Sequence, residues 1–471
     1  MFKAQRGKQP ECSTMDIGFS STTELAAAIA RRRISAVEAL DAHLAQIDRH
    51  NEALNAVVLL DREGALQRAR EADAALARSA ALGPLHGVPF TLKDAHETAG
   101  MKTTVGFPPF ADNVPKQDSP VVARLKRAGG VLVGKTNVAT MLGDWQSDNP
   151  LFGRTGNPWD PSRTAGGSSG GAAAAVATGM MPFEVGTDMQ NSIRLPAAFC
   201  GVYGLKPTEH RVSLAGAFPD PGGIPRSVRL MSCVGPIARN LEDLALIYRI
   251  IAGPDGGDTD LAPVPVDPIP RLELKSLRIA FAGTFRGFPV AAEIGAAVER
   301  LAARLASAGA HVEEAKLPKL DLHDDLTEGG KLIGMMLEAA QPEPPEQPAP
   351  VSRWFAALAR RDRSILAWER FFESCDALLC PVAMTTAFPH CKPGSPLKVD
   401  GKDESYWMLP AYGAVFNYSG HPALAIPGGQ DSNGLPIGLQ LVGKRWSEAR
   451  LLGVAAAIAP LTDGFRRPPG Y

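Results

Sequence analysis

The chain has 471 residues and a formal net charge of −1, so no face-wide basic excess points to a nucleic-acid partner. At 45% hydrophobic and 21% charged it has ordinary globular composition, enough to bury one large core or two or three smaller ones. It contains no run of about 18 apolar residues, the length a membrane-spanning helix needs.

The first stretch, MFKAQRGKQPECSTM, lacks the apolar centre of a signal peptide. Residues 1–14 are therefore expected to be a disordered leader, with Met15 a candidate second start and the cytoplasm the expected location. Residues 21–78 read as helices. Ser21 with Glu24, and Ser35 with Glu38, have capping-box spacing, and Val37, Leu40, Leu44 and Ile47 recur at helical intervals. Gly83, Pro84 and Gly87 break the pattern, and 88–92 predicts a short apolar strand that delivers Lys93 and Asp94. A helix starts near Ser119, with Pro120 in its first turn, and stops at Gly129. Residues 131–133 predict a buried strand, 143–165 a loop rich in Gly, Pro, Asp, Asn and Ser, and 172–178 a helix of small residues.

Further along, 241–252 predicts an apolar helix, 253–272 a connection, 277–282 a strand and 290–308 a helix. The segment QPEPPEQPAP at 341–350 reads as an exposed linker or excursion, because proline suits neither a helix interior nor a central strand. Strands are predicted at 376–383, 422–427 and 436–442, and a helix at 447–459. Strands alternating with helices imply an α/β fold with a mixed sheet. The six cysteines (Cys12, Cys200, Cys233, Cys375, Cys380, Cys391) form no CxxC pair, so thiols without a metal or disulfide role are expected.

Two literal motif matches fail on context. GGVLVGKT at 129–136 fits the phosphate-loop pattern, but a helix precedes it and Val131, Leu132 and Val133 favour an extended backbone that cannot curl round a phosphate. GGSSG at 166–170 fits GxSxG, but NPWDPSRT before it is loop rather than the strand a nucleophile elbow requires. His210, His311, His323, His390 and His421 lie in no distinctive setting for a histidine triad.

The densest signal runs from GGSSGG at 166–171 to PAAFCGVYGLKPT at 196–208. Further matching segments are GPLHGVPFTLKD (83–94), VLVGKTN (131–137), NPLFGRTGNPWDPSR (149–163), GPIAR (235–239) and LPIGLQLVG (435–443). In these stretches the chain resembles the amidase signature family. The resemblance covers most of 20–460 and is weakest over 255–375. It implies a central mixed sheet flanked by helices on both faces, in a single domain over 15–471. The signature core would occupy about 80–240, with variable substrate-side regions at about 255–375 and 400–418.

The resemblance also implies a Ser–cis-Ser–Lys triad: Lys93 as base, Ser168 as bridge after a cis Gly167–Ser168 peptide, and Ser192 as nucleophile. The residues allow this chemistry. A serine hydroxyl attacks only when a neighbour takes its proton. A lysine titrates near about 10.4 in water, so it acts at neutral pH only if burial lowers that value. Ser168 can accept from one partner while donating to the other. The resemblance places oxyanion donors on the backbone N–H groups of Met189, Gln190, Asn191 and Ser192. It assigns Ser169, Thr187, Asp188 and Arg194 to holding the loop, and Leu142, Gly143 and Trp145 to a pocket-lining segment; Trp145 suits plain core equally well.

Many members carry Gly-Gly where this chain has Gln190-Asn191. Asparagine tolerates left-handed backbone; Gln190 would narrow the acyl pocket or hydrogen-bond within it, which bears on substrate preference. The expected reaction is hydrolysis of a small-molecule amide through an acyl-enzyme, with a carbamate or ester hydrolase as alternative. No cofactor or metal is expected, and homodimers occur in the family. A third reading is the transamidating component of a tRNA-dependent amidotransferase, the one designated A. That branch's arginine-rich RRILLGTY-like segment is replaced here by GKLIGMMLEAA at 330–340.

Overall fold

The computed structural model describes residues 15–78, 82–218, 228–339 and 347–471. The expected leader at 1–14 and residues 341–346 of the expected linker lie outside the described residues. Both capping boxes form: Ser21 opens α1 (Thr22–Ala30) and Ser35 opens α2 (Ala36–Leu54), each serine side chain accepting from the N–H of the glutamate three residues on. Helix α2 turns Ala39, Leu40, His43 and Ile47 inward. The reading of 21–78 as helices alone is corrected by one element. Asn55, in left-handed conformation with φ 50°, ends α2, and the apolar run that follows forms strand β1 (Val57–Leu60) before α3 (Arg62–Ala77). Asn51 caps this junction from inside α2, its Oδ1 accepting from the N–H groups of Ala56 and Val57.

Strand β1, β2 (Pro89–Lys93) and β3 (Val131–Thr136) make a small sheet in the order β1–β3–β2, with α4 (Pro120–Arg127) between β2 and β3 in the chain. Strand β3 contains Gly134, Lys135 and Thr136, which disposes of the phosphate-loop match: these residues are extended and buried, and Lys135 donates to Thr103 Oγ1 at 3.0 Å.

The large sheet has eight strands. In chain order they are β4 (Phe183–Asp188), β5 (Tyr203–Lys206), β6 (Cys233–Ala238), β7 (Arg278–Phe281), β8 (His311–Glu314), β9 (Ala377–Pro381), β10 (Ala423–Gln430) and β11 (Pro436–Val442). Their spatial order is β8–β7–β9–β11–β10–β5–β6–β4, with β7 parallel to β8 and β9 and the remaining pairs antiparallel. This is the mixed α/β sheet expected from the alternation of strands and helices. Side chains alternate across it. Leu424, Ile426, Ile437, Leu439 and Leu441 join the cluster that includes α7 (Leu241–Ile251), α8 (Ala292–Ser307) and α12 (Glu448–Ile458). Ala425 and Ile237 join the opposite cluster with α5 (Gly170–Ala177) and α6 (Arg194–Cys200).

Among the described residues, four α-helices had no counterpart in the sequence reading: α6, α9 (Leu322–Ala339), α10 (Val351–Phe371) and α11 (Ala411–Tyr418). The expected loop at 143–165 contains two short ribbons, Asp148–Asn149 with Gly153–Arg154 and Gly156–Asn157 with Asp160–Thr164. Among the described residues no helix is long and apolar enough to cross a membrane.

The placement of the site depends on a sheet-to-sheet contact. Strand β2 lies against β4, the edge of the large sheet, and Thr91 of β2 hydrogen-bonds Glu184 of β4. Helix α6, which follows β4, packs closely on β11: a Cβ at Gly438 would lie 2.1 Å from Ala198 Cβ. Gly438→Ala is therefore expected to lower stability by about 1–3 kcal/mol through overpacking, read as a lower urea-unfolding midpoint.

Candidate active site

Lys93 ends β2 and is fully buried. Its Nζ lies 2.8 Å from Ser168 Oγ, 2.7 Å from Thr187 Oγ1 and 3.3 Å from Thr187 O. Burial lowers its pKa to about 7, against the opposing charges of Asp188 and Glu184. The amine is therefore neutral over part of the physiological range.

Ser168 follows a cis Gly167–Ser168 peptide, as the resemblance implied, and is 1% exposed. The turn around it is clamped by Ser147, whose Oγ donates to Gly166 O at 3.0 Å and accepts from Gly170 N at 2.8 Å. Ser169 Oγ donates to Thr187 O at 3.4 Å. Lys93, Ser168, Ser169 and Thr187 are thus brought together at one end of β2 and β4.

Ser192 occupies the turn between β4 and α6 and is 5% exposed. Asp188 organises that turn. Its Oδ1 accepts from Asn191 N at 2.8 Å, its Oδ2 accepts from Ile193 N at 3.1 Å, and Arg194 grips both oxygens at 3.0 and 3.1 Å. Both partners are fully buried. Burial alone would raise the Asp188 carboxyl, but the Arg194 charge and hydrogen bonds hold it well below the usual carboxylate range.

Asn191 has φ 79°, the left-handed geometry that asparagine tolerates. One expectation needs correction here: the Asn191 N–H already serves Asp188, so it is not a free oxyanion donor. Among the described residues, no hydrogen bond occupies the N–H groups of Met189, Gln190 and Ser192.

Several supporting residues escaped the sequence reading. Asn417 of α11 donates to Asp188 O at 3.0 Å and to Met231 O at 3.0 Å, and its Oδ1 accepts from Arg194 Nη2 at 2.6 Å. Gln440 of β11 accepts from Arg194 Nη1 at 3.0 Å and donates to Pro381 O at 2.9 Å. The available signal was a lone amide side chain inside an otherwise apolar element, AYGAVFNY or PIGLQLV. Glu184 is fully buried, and burial pushes its carboxyl up to about 8. Its Oε2 accepts from Val185 N at 3.1 Å.

The expected pocket segment divides. Leu142 is half-buried and Gly143 exposed, whereas the Trp145 ring is buried in a core cluster with Leu195, Phe199 and Tyr406. Met189 and Gln190 are half-buried. Met189 packs against a cluster containing Met231, Leu332 and Tyr418. Among the described residues, no group of three or more His, Cys, Asp or Glu is placed to hold a metal ion, and the five described cysteines are free.

The structure is thus a mixed α/β sheet with a lysine amine and a serine hydroxyl buried together, and with the turn that carries Ser192 clamped by Asp188 and Arg194. A profile of the family described as Amidase matches residues 38–341 and 345–452, and the chain belongs to that family, the amidase signature family. It is 35% identical to the A component of the glutamyl-tRNA(Gln) amidotransferase of Moorella thermoacetica, over 97% of this chain and 99% of that protein. It is 32% identical to an acylamidase of Rhodococcus erythropolis, over 94% of this chain and 96% of the relative. Among solved structures it resembles a chain from a vestigial complex described as revealing the origins of an s-triazine catabolic enzyme. There the TM-score is 0.84 at 28% identity, covering 95% of this chain and 100% of the other.

Two outcomes are expected. The value of kcat/KM should rise with pH through about 7, because only the neutral Lys93 amine accepts a proton; a pH–rate profile on an amide substrate reads this directly. Arg194→Met strands the buried Asp188 carboxylate and should cost about 3–5 kcal/mol of stability by denaturant unfolding.

Proposed function

We propose that the chain is an amidohydrolase that cleaves a carboxylic amide C–N bond through an acyl-enzyme on Ser192. The observation that carries this reading is the buried Lys93 amine, brought to about 7 and 2.8 Å from Ser168 Oγ. As Ser192 Oγ attacks the carbonyl carbon, its proton passes to Ser168, whose own proton passes to Lys93. The carbonyl oxygen becomes an oxyanion facing the N–H groups of Met189, Gln190 and Ser192; such donors contribute about 3–4 kcal/mol each to transition-state binding.

When the tetrahedral intermediate collapses, the C–N bond breaks and the proton returns along the same path to the leaving nitrogen. An amine departs and an ester to Ser192 remains. Water then attacks that ester, gives its proton to the same relay, and releases the acid. Likeness to the Rhodococcus acylamidase over nearly the whole chain supports amide hydrolysis. A carbamate or ester would pass through the same steps, since the nucleophile and oxyanion donors address only the carbonyl.

The likeness to the Moorella amidotransferase component supports a second reading, release of ammonia from a side-chain amide for transfer within a larger assembly. Glutaminase activity that appears only with partner proteins, together with failure of the lone chain on simple amides, would favour it. The hydrolase reading expects the lone chain to release amine from aliphatic or aryl amides and to be labelled by a fluorophosphonate. Ser192→Ala should abolish labelling and lower kcat by about 10⁴- to 10⁶-fold with the fold intact by circular dichroism. Wild-type turnover by that variant would reject the assignment.

A further inference from the structure

Lys93 shares its face of β2 with Thr91. Phe90 and Leu92 join the apolar cluster on one side of the strand, so Thr91 and Lys93 turn to the other. The same alternation holds on β4: Phe183 and Val185 join that cluster, and Glu184 and Gly186 turn away from it. The two polar faces meet. Thr91 donates to the Glu184 carboxylate, Lys93 donates to Thr187 Oγ1 at 2.7 Å further along β4, and a Cβ at Gly186 would lie 2.8 Å from Ser169 Oγ. Alternate residues of a strand stand about 7 Å apart, so the carboxyl that Thr91 holds lies in the layer of the Lys93 amine and its charge acts on that amine. The steps above make no use of it.

Two opposing effects leave Glu184 poised between its charged and neutral forms. Full burial favours the acid and pushes the carboxyl up to about 8. The Thr91 hydroxyl and the Val185 N–H at 3.1 Å favour the carboxylate, with the Thr136 hydroxyl of β3 close by. Lys93, at about 7, gives up its proton over the same span of pH, so the state of each group depends on the other. The neighbouring charges are engaged elsewhere. Lys135 of β3 donates to Thr103 Oγ1 and to His96 O, and Asp94 is the acid that acts on it most. Asp188 is paired with Arg194. Burial holds two histidines neutral: His96, at about 3, and His43, at about 4, the one titratable side chain that α2 turns inward. Helix α5 carries no titratable side chain, and β6 contributes only Cys233, opposite Asp188.

We propose that Glu184 is a positioning residue for the lysine base: Thr91 holds its carboxyl in the layer of the Lys93 amine, and the charge on that carboxyl sets how far the pH must rise before the amine is free to take a proton. This rests on the amidohydrolase reading, in which Lys93 is the base, and adds a residue to it. An ionised Glu184 stabilises the ammonium form of Lys93 and delays its loss of a proton, whereas a neutral side chain at 184 releases the amine at lower pH.

The test is the rate at which a fluorophosphonate labels Ser192 in the full chain, followed from about pH 5 to about pH 9, which reads the base without requiring the substrate. The wild-type rate should rise through about 7. Glu184→Gln keeps the shape of the side chain and an acceptor for Thr91 but cannot ionise. Its midpoint should move to lower pH by about half a pH unit or more. A purely structural role would change the rate by one factor at every pH and leave the midpoint in place. Thr91→Val removes a hydroxyl that favours the carboxylate, so its midpoint should move in the same direction, while Thr91→Ser keeps the wild-type value. This second pair decides the matter if the glutamine protein fails to fold. An unmoved midpoint in a folded, labelled Glu184→Gln protein, or in Thr91→Val where the former does not fold, would overturn the inference and leave the amidohydrolase reading intact. If the wild-type chain is not labelled at any pH, both fall together.

Discussion

An amine sealed from water beside a serine hydroxyl is the constraint on which the rest of the site depends. In solvent, Lys93 would hold its proton through the neutral range and could donate only. Full burial reverses that, because the charged form loses its hydration while the neutral form loses little. The remaining features keep the sealed amine aligned. Strand β2 presents it, Thr187 and Ser168 hydrogen-bond it, and β4 packs against β2.

A second buried charge pair answers a different need. The turn that carries Ser192 cannot be held by apolar packing, since several of its backbone N–H groups point inward and need acceptors. Asp188 supplies them, and Arg194 supplies the charge that lets a carboxylate exist there. Asn417 and Gln440 then connect this pair to α11 and β11, two elements distant in the chain. The cost of burying ions is met by saturating them with hydrogen bonds, which makes the turn rigid. The Asn191 N–H is used for this purpose, so it is committed to holding the turn.

The signature core was legible because its chemistry is local. Ser168 lies in a glycine-flanked turn and Lys93 ends an apolar strand, both written in adjacent residues, whereas the strand Phe183–Asp188 before Ser192 was not read from the sequence. The false phosphate loop was recognisable for the same reason, since Val131, Leu132 and Val133 state their preference for a strand. Errors arose where the deciding partner lay far away in sequence. Val57–Leu60 became a strand because β3 offered it an edge. Trp145, which the sequence left open between pocket and core, is placed in a core cluster by Leu195, Phe199 and Tyr406.

By itself, the sequence determined the family, the identity of the triad candidates and the alternation of strands and helices that makes a mixed sheet. All of these rest on short-range patterns of residue type and spacing. The tertiary structure alone decided the burial that lowers the pKa of Lys93, the commitment of the Asn191 amide, and the clamps from Asn417 and Gln440. Those properties depend on exclusion of water and on side chains converging from separate elements, and neither is encoded in any one stretch of chain.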